Sequence, residues 1–413
     1  MARSSLRSAK NSGKSTAKKG FVKNSTSLAT NDLAKSLMAT ATPRQQGFRM
    51  PAEWERHEAT WLSWPHELTD WPVKFAPIPW AFAEIVRHLS RVERVLLLVQ
   101  NGGAENRVRS MLKKSGAVLE NVDFFRVPTD RGWMRDSGPL CVTNDASEIA
   151  FNHFVFNGWA KYGNHKRDAA AVGKVNLRLQ KCIWNPVHTA ARGKSAGLTG
   201  RRLTLEQRRV VLEGGSIDVN GRGTLLTTEE CLLSETQERN PGFAREDYES
   251  VFREYLGVSK TIWLKNGIAG DDTHGHVDDV SRFVNPHTVL TAVEENREDA
   301  NYAALQENLE ILKSGSDQDG RPLQVRPLPM PAAVYFDGQR LPASYANFYI
   351  ANKLVIVPTF TDANDRVALN TIAELFPSRE VVGIPCRDLV LGLGTLHCMT
   401  QQQPAADSKA TST

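Results

Sequence analysis

Asn347-Phe348-Tyr349-Ile350, Leu354-Val355-Ile356-Val357 and Glu380-Val381-Val382-Gly383-Ile384 bracket a helix-like run at 366–376 and lead into the loop that carries Cys398. The three apolar runs have the length of strands, and the intervening run spaces its apolar residues as a helix does. The order is strand, strand, helix, strand, a β-β-α-β unit. Weaker versions of the strand–helix–strand cadence precede it. Strands are expected at 59–64, 94–100, 122–127, 140–142, 149–156, 260–264, 289–293 and 323–328, and helices at 80–89, 105–114, 168–180, 246–255 and 300–313. The run 210–219 reads as strand, tight turn, strand. No linker interrupts the alternation after residue 50, so the expected architecture is one α/β domain built from several such units.

The chain has 413 residues, 41% hydrophobic and 23% charged, the balance of a globular protein. No apolar run approaches the roughly 18 residues that a membrane span needs. The formal net charge of +5 is concentrated near the N-terminus, where no Asp or Glu precedes Asp32. It therefore marks a basic arm rather than a nucleic-acid patch on the folded body. Residues 1–47, rich in Ser, Lys, Thr, Ala and Asn, hold too few large apolar side chains to offset their ordering entropy. They are expected to be a disordered arm, with the acid-poor, hydroxyl-rich makeup of an organelle transit peptide as the alternative. A single domain is expected at 48–404 and a disordered tail at 405–413. Within the domain, 189–209 is basic, Gly-rich and expected to be a surface insertion. Five cysteines, an odd number with no C-x-x-C pair, argue against a disulfide framework or a zinc–cysteine site. A reducing, cytoplasmic setting fits them best.

Four polar turns follow apolar strands, where α/β folds gather their ligand sites. They carry Trp133 with Asp136, Glu213 before two glycines, His276 with Asp278, and Cys398. Each has a plain structural reading. Cys398 is then a small buried hydrophobe, Asp136 a turn-capping carboxylate, Glu213 a turn residue or the partner of an arginine, Trp133 core, and His276 a structural imidazole. The run His274-x-His276-x-Asp278 also admits a metal, because two imidazoles and a carboxylate are a ligand set. No second histidine cluster completes a shell, and Asp279 stands where a further histidine would follow. Gly392-x-Gly394 lacks the third glycine of a dinucleotide fingerprint, but its glycines let the backbone approach a ligand closely. Together the turns supply a soft nucleophile, an acid/base, carboxylates and an aromatic face. Carboxylates and a tryptophan suit a planar cation, and a cysteine attacks an electrophilic carbon. A guanidinium is both.

From about residue 50 to 404 the chain resembles the agmatine deiminases, in the family shared with the bacterial-type peptidylarginine deiminases. The resemblance rests on Met50-Pro51-Ala52-Glu53-Trp54-Glu55, Trp133-Met134-Arg135-Asp136-Ser137-Gly138-Pro139, Leu212-Glu213-Gly214-Gly215-Ser216, Gly270-Asp271-Asp272-Thr273 with Gly275-His276-Val277-Asp278, and His397-Cys398 before Thr400-Gln401-Gln402-Gln403-Pro404. It implies the pentein fold, a five-bladed α/β propeller of pseudo-fivefold ββαβ units. It implies hydrolysis of agmatine to N-carbamoylputrescine and ammonia, with neither metal nor organic cofactor. By the same resemblance Cys398 is the nucleophile, His276 the acid/base, and Asp136 and Asp278 the guanidinium clamps. Trp133, Glu213 and Asp272 are further substrate contacts. The implied partner is a small cationic guanidine, with neither nucleic acid nor membrane; self-association stays open. Arg135 and Arg282 are the arginines that a substrate bearing an α-carboxylate would call on. The alternatives are a peptidylarginine deiminase of the same family and a non-catalytic guanidine-binding pentein, with a metal hydrolase and a cysteine protease behind them.

Overall fold

Leu354–Thr359 is apolar and almost wholly buried because it is the middle strand of three. Tyr349–Ala351 pairs with it antiparallel and Glu380–Pro385 parallel. A parallel partner needs a crossover, here the helix Asn364–Leu375, which buries Ala368 and Ile372 one turn apart on its inner face. Asp365 fixes the start of that helix by accepting the backbone N–H groups of Phe360 and Asp362. The expected β-β-α-β module is present, with one shift. Its first strand starts at Tyr349, because the Asn347 amide is bonded instead to the loop that carries Cys398.

The computed structural model describes residues 41–192 and 204–406. Within them the same pattern of an antiparallel pair followed by a parallel partner recurs in four further sheets. Leu140–Thr143, Ile149–Asn152 and Cys182–Trp184 form one. Asp218–Val219, Thr224–Thr228 and Lys260–Leu264 form the next, crossed over by helix Arg245–Leu256. Ser281–Asn285, Thr288–Val293 and Gln324–Pro329 follow, with helix Tyr302–Ser314. In the last of the four, Gln401–Pro404 runs antiparallel to His57–Ser63, which continues through parallel Arg94–Val99 and Val122–Arg126. The final strand of the chain thus pairs with the first. The described helices are too short or too polar to cross a membrane.

Three expectations change. Residues 210–212 do not form a strand but a single bridge from Val211 to Val155. Asn240 accounts for this: its side chain bonds both the N–H and the carbonyl of Val211 and takes the places a ladder would use. The compact body begins at Thr42 rather than near 48; Arg44–Gln46 is a 3₁₀ turn, and the Thr42 hydroxyl donates to Glu254 at 2.8 Å. The basic insertion is a hairpin, Val187–Arg192 against Thr204–Arg209. Its tip, the arm expected at 1–47 as far as residue 40, and the tail beyond 406 lie outside the described residues.

Candidate active site

The chain leaves each sheet and passes through one shared region before it enters the first strand of the next. Four of these lead-ins are single helical turns: Met134–Ser137 with Asp136, Gly214–Ser216 just after Glu213, Val277–Asp279 just after His276, and Leu396–Met399 with Cys398. Asn347 occupies the fifth. Hydrogen bonds lace them together. Gly215 N donates to Asp136 Oδ1 at 3.1 Å, Arg135 Nε to the His397 carbonyl at 3.2 Å, and Ser344 Oγ to the Asp279 carbonyl at 2.7 Å.

Cys398 is buried, with its Sγ accepting from Asn347 Nδ2 at 3.1 Å and standing 3.7 Å from Asp278 Oδ2. The other end of the Asn347 amide receives Thr395 Oγ1 at 2.8 Å and the backbone N–H of His397 at 3.0 Å. One amide therefore orients both the thiol and its loop. Gly394 lets that loop close: a Cβ there would lie 2.8 Å from Trp133 Cζ3 and 3.2 Å from Cys398 Sγ. Burial pushes the thiol well above its ordinary pKa, and the carboxylates of Asp278, Asp279 and Asp136 push it further, against the Asn347 hydrogen bond.

Behind Asp278 runs a buried relay. His397 Nδ1 is 2.7 Å from Asp278 Oδ2, and His397 Nε2 is 2.8 Å from Glu53 Oε2. Arg135 Nη2 and Arg282 Nη2 each stand 3.0 Å from the same Glu53 carboxylate, and Arg282 also pairs with Asp218. Burial alone would raise Glu53, but Arg282, His397 and Arg135 outweigh it and hold the carboxyl well below the usual range. Asp278 is likewise lowered, by His397 and His276 against its own burial, and its Oδ1 has no partner among the described residues. Arg135 and Arg282 are thus committed to Glu53.

His276 is fully buried, and neither ring nitrogen has a partner at hydrogen-bond distance among the described residues. Its Nδ1 lies 3.8 Å from Asp136 Oδ1, an ion-pair separation. Burial would lower its pKa, but Asp136, Cys231 and Asp278 raise it well above the ordinary value. Asp136 is not the local turn cap that its sequence allows. It accepts Gly215 N and, at 2.9 Å, Trp159 Nε1. Burial and the neighbouring Asp278 and Glu213 push it up to about 6, against the pull of His276. Glu213 takes the arginine-partner reading, with Arg239 Nε at 3.1 Å from Oε1 and Oε2 unpaired.

Above these groups opens a cavity of about 370 Å³. Cys398, Asp136, Trp133, Trp159 and Tyr162 line it, with Asp70, Asp272 and Asp337 adding carboxylates. Trp133 Nε1 is held by Asp70 at 3.2 Å. Asp272 receives Tyr162 Oη at 2.7 Å and pairs with Lys161. Arg131, a cation in the lining, is paired with Asp70 and stacked over the Tyr162 ring at 4.3 Å. Of the seven residues singled out from sequence, four (Cys398, Asp136, Trp133 and Asp272) line the cavity. Glu213, His276 and Asp278, all fully buried, are not among its lining residues. The metal run does not converge: His274 turns to Ser234 Oγ at 3.1 Å and toward Glu230 at 3.6 Å.

Sequence reasoning assigned no role to Asn347, His397, Glu53, Trp159 or Cys231. Glu53 and His397 stand inside the motifs quoted above, yet a motif does not say which residues touch. Trp159 and Ala160 adopt φ of 58° and 54°, a left-handed pair that non-glycine residues avoid. The glycine-flanked Asn157-Gly158-Trp159 was the one local signal of that bend.

The family model for the Porphyromonas-type peptidyl-arginine deiminases matches residues 49–404. The agmatine deiminase of Pseudomonas aeruginosa is 36% identical, over 89% of this chain and 98% of its own length. A putative agmatine deiminase of Legionella pneumophila is 35% identical, over 88% and 97%. Among solved structures, the agmatine deiminase of Enterococcus faecalis superposes with a TM-score of 0.78 at 32% identity, covering 89% of this chain and 98% of that one. A substrate-bound agmatine deiminase of C. jejuni gives 0.73 at 28% identity, covering 86% and 96%.

Proposed function

Because the chain belongs to the Porphyromonas-type peptidyl-arginine deiminase family, we propose that the cavity above Cys398 is its active site and that the side chains around it act as their geometry allows. The protein is an amidine hydrolase, and its reaction is the deimination of agmatine to N-carbamoylputrescine and ammonia. One observation carries this reading: a buried thiol at the end of a cavity lined by tryptophans and carboxylates, with His276 beneath them. We further infer that the five sheets close into a five-bladed pentein propeller. Their common strand order and the pairing of the last strand with the first support it.

The guanidinium enters between the Asp136 carboxylate and the unpaired Oδ1 of Asp278. Its charge offsets the carboxylates that keep the Cys398 thiol neutral, so as the cation binds the thiol releases its proton to solvent through the cavity that it lines. Sγ adds to the guanidinium carbon. His276, raised in pKa and hence protonated, gives its proton to an NH₂ group, which leaves as ammonia and yields an S-linked thiouronium. The neutral imidazole then takes a proton from water, which attacks the same carbon and releases Sγ. Positioned proton transfer of this kind contributes about 10²–10⁴-fold. The aspartates stay anionic opposite the changing charge.

Substrate choice follows from what lies in the cavity. An α-carboxylate would call for an uncommitted cation. Arg135 and Arg282 are held by Glu53, and Arg131 by Asp70. Asp70 and Asp272 already carry Arg131 and Lys161, and Asp337 in the same lining is the carboxylate that suits the second cation of agmatine. The hairpin Tyr335–Phe336 with Gln339–Arg340 brings Phe336, Asp337 and Gln339 to the cavity, where a polypeptide would need room. The test is ammonia release with agmatine, arginine and an arginine-containing peptide, for wild type and Cys398→Ser. Agmatine should be preferred and the variant should be inactive while folded. Preference for the peptide would move the protein to peptidylarginine, and turnover by the variant would remove Cys398 as nucleophile.

A further inference from the structure

Beneath Asp136, and outside the cavity lining, lies a second group of chemically able side chains. Glu213, Cys231 and His276 are all buried, and each offers a ligand atom within 4.8 Å of the other two. Cys231 touches no substrate in the deimination proposed above, although it helps to raise the pKa of His276. It sits in the helix Glu229–Leu233, where the Thr228 hydroxyl caps its backbone N–H. The second observation is a deficit of hydrogen bonds. Glu213 Oε2 and both nitrogens of His276 are completely buried and have no partner at hydrogen-bond distance among the described residues. Buried polar atoms are rarely left so. Glu213 Oε2 and one nitrogen of His276 thus meet at one thiol as a set of possible ligands.

From this geometry we propose that Glu213, Cys231 and His276 bind a zinc ion or a similar thiophilic divalent cation, and that the bound ion switches deimination off. A carboxylate, a thiolate and an imidazole are the donors zinc takes, at bond lengths of about 2.0–2.3 Å. Around a tetrahedral ion such donors stand roughly 3.3–3.8 Å apart, so side-chain shifts of about 1 Å close the set. Arg239 holds Glu213 by Oε1 and leaves Oε2 to the metal, an orienting partner of the kind that ligating carboxylates use. Asp136, whose Oδ1 is 3.8 Å from His276 Nδ1, lies outside this group of three and links it to the cavity that it lines. Binding costs two protons, one from the Cys231 thiol and one from the His276 imidazolium, both released to solvent as the S–metal and N–metal bonds form. The ion occupies the imidazole lone pair that must carry a proton in deimination. The inhibitory half of the proposal rests on that assigned role of His276; the binding half does not.

Binding and activity are measured separately on the full chain. Zn²⁺ is titrated against agmatine turnover, and Co²⁺ binding is followed by its thiolate charge-transfer absorption, in wild type, Cys231→Ser and Cys398→Ser. The serine variant at 231 is nearly isosteric, and its inhibition is read against its own metal-free turnover. Expected is one ion per chain, inhibition reversed by EDTA, and a thiolate band retained in Cys398→Ser but lost in Cys231→Ser. Zinc inhibition of Cys231→Ser should be weaker by more than about 100-fold, beyond what the loss of a supporting group alone commonly costs. A band that survives in Cys231→Ser but vanishes in Cys398→Ser would place the metal on Asp278, Asp279 and Cys398 and overturn the proposal, as would no binding at all. A band lost only in Cys231→Ser, with turnover indifferent to Zn²⁺, would uphold the site and overturn the role of His276.

Discussion

Gly215 is the position where the assembly of the site is most sensitive to one added carbon. Its N–H already donates to Asp136, and a Cβ would stand 2.5 Å from His276 Nδ1, 2.9 Å from Asp136 Oδ1 and 3.0 Å from His276 Cε1. An ordinary contact is about 3.4 Å, so the imidazole of Gly215→Ala must retreat by about 0.9 Å or the backbone must give. His276 is fully buried, so any such retreat moves the ring among packed neighbours. A misplacement of about 1 Å in a reacting group costs on the order of 10²-fold in rate. Overpacking of this kind adds roughly 1–3 kcal/mol of destabilisation. The expected outcome is a kcat for agmatine reduced about 100-fold in a protein that still unfolds cooperatively, with a smaller effect on KM because the cavity wall is intact. Steady-state ammonia release and a urea melt read the two quantities. A kcat within about threefold of wild type in a folded variant would refute the placement of His276 as the acid/base, because the substitution cannot leave that ring where it is.

Three other outcomes follow from the charges. Asp136 binds a guanidinium only as a carboxylate, and burial has raised it to about 6. The ratio kcat/KM should therefore climb about tenfold per pH unit up to about pH 6 and level off above it. Trp159→Phe, which removes the N–H on Oδ2, should move that limb upward by about one pH unit, and an unmoved limb would detach it from Asp136. Glu53→Ala leaves Arg135 and Arg282 buried without their shared carboxylate and should cost about 3–5 kcal/mol in urea unfolding. Because Glu53 titrates well below its ordinary value, wild type should hold that stabilisation above about pH 4.5 and lose it as the pH falls further; a loss under about 1 kcal/mol would show the network to be dispensable. Since Cys398 titrates well above an ordinary thiol, iodoacetamide should inactivate the free protein slowly at neutral pH and ever faster past about pH 8.5. A rate already at its plateau by pH 7 would mean a resident thiolate.

The β-β-α-β rhythm was legible because burial writes itself as period. Leu354–Thr359 is covered on both faces and reads as a continuous apolar run, while its crossover helix shows one apolar stripe. Residues 210–212 misled because three apolar residues look like a strand whether a ladder or the Asn240 side chain satisfies Val211. Of the site, the side chains with distinctive chemistry could be named: a thiol, an imidazole, carboxylates in glycine-rich turns. What pattern could not supply was pairing. Asn347 looked like the first residue of a strand, and only the fold shows its amide on Cys398. Arg135 and Arg282 looked available for a substrate carboxylate and are bound 3.0 Å from Glu53 instead. Cys231 lies far from every motif in the chain and beside His276 in space.

The electrostatics of the empty site favour a division of labour between protein and substrate. Asp136, Asp278 and Asp279 crowd around Cys398, and each disfavours the thiolate. A hydrolase that relied on a standing thiolate would gain from fewer carboxylates there. In the proposed mechanism these carboxylates instead keep the nucleophile protonated until a cation enters, and the same carboxylates bind that cation. His276 is raised in pKa by Asp136 and its neighbours, so the proton needed by the departing ammonia is already in place. Thiol ionisation is thereby coupled to substrate charge: a neutral molecule of similar shape filling the cavity would leave the Asp136 and Asp278 field uncompensated and Cys398 unreactive. The relay through His397 to Glu53 fits this scheme, since it fastens Asp278 by Oδ2 and leaves Oδ1 without a partner among the described residues. By that mechanism the acidic cluster is at once the binding site and the lock on the nucleophile, and the substrate's own charge opens it.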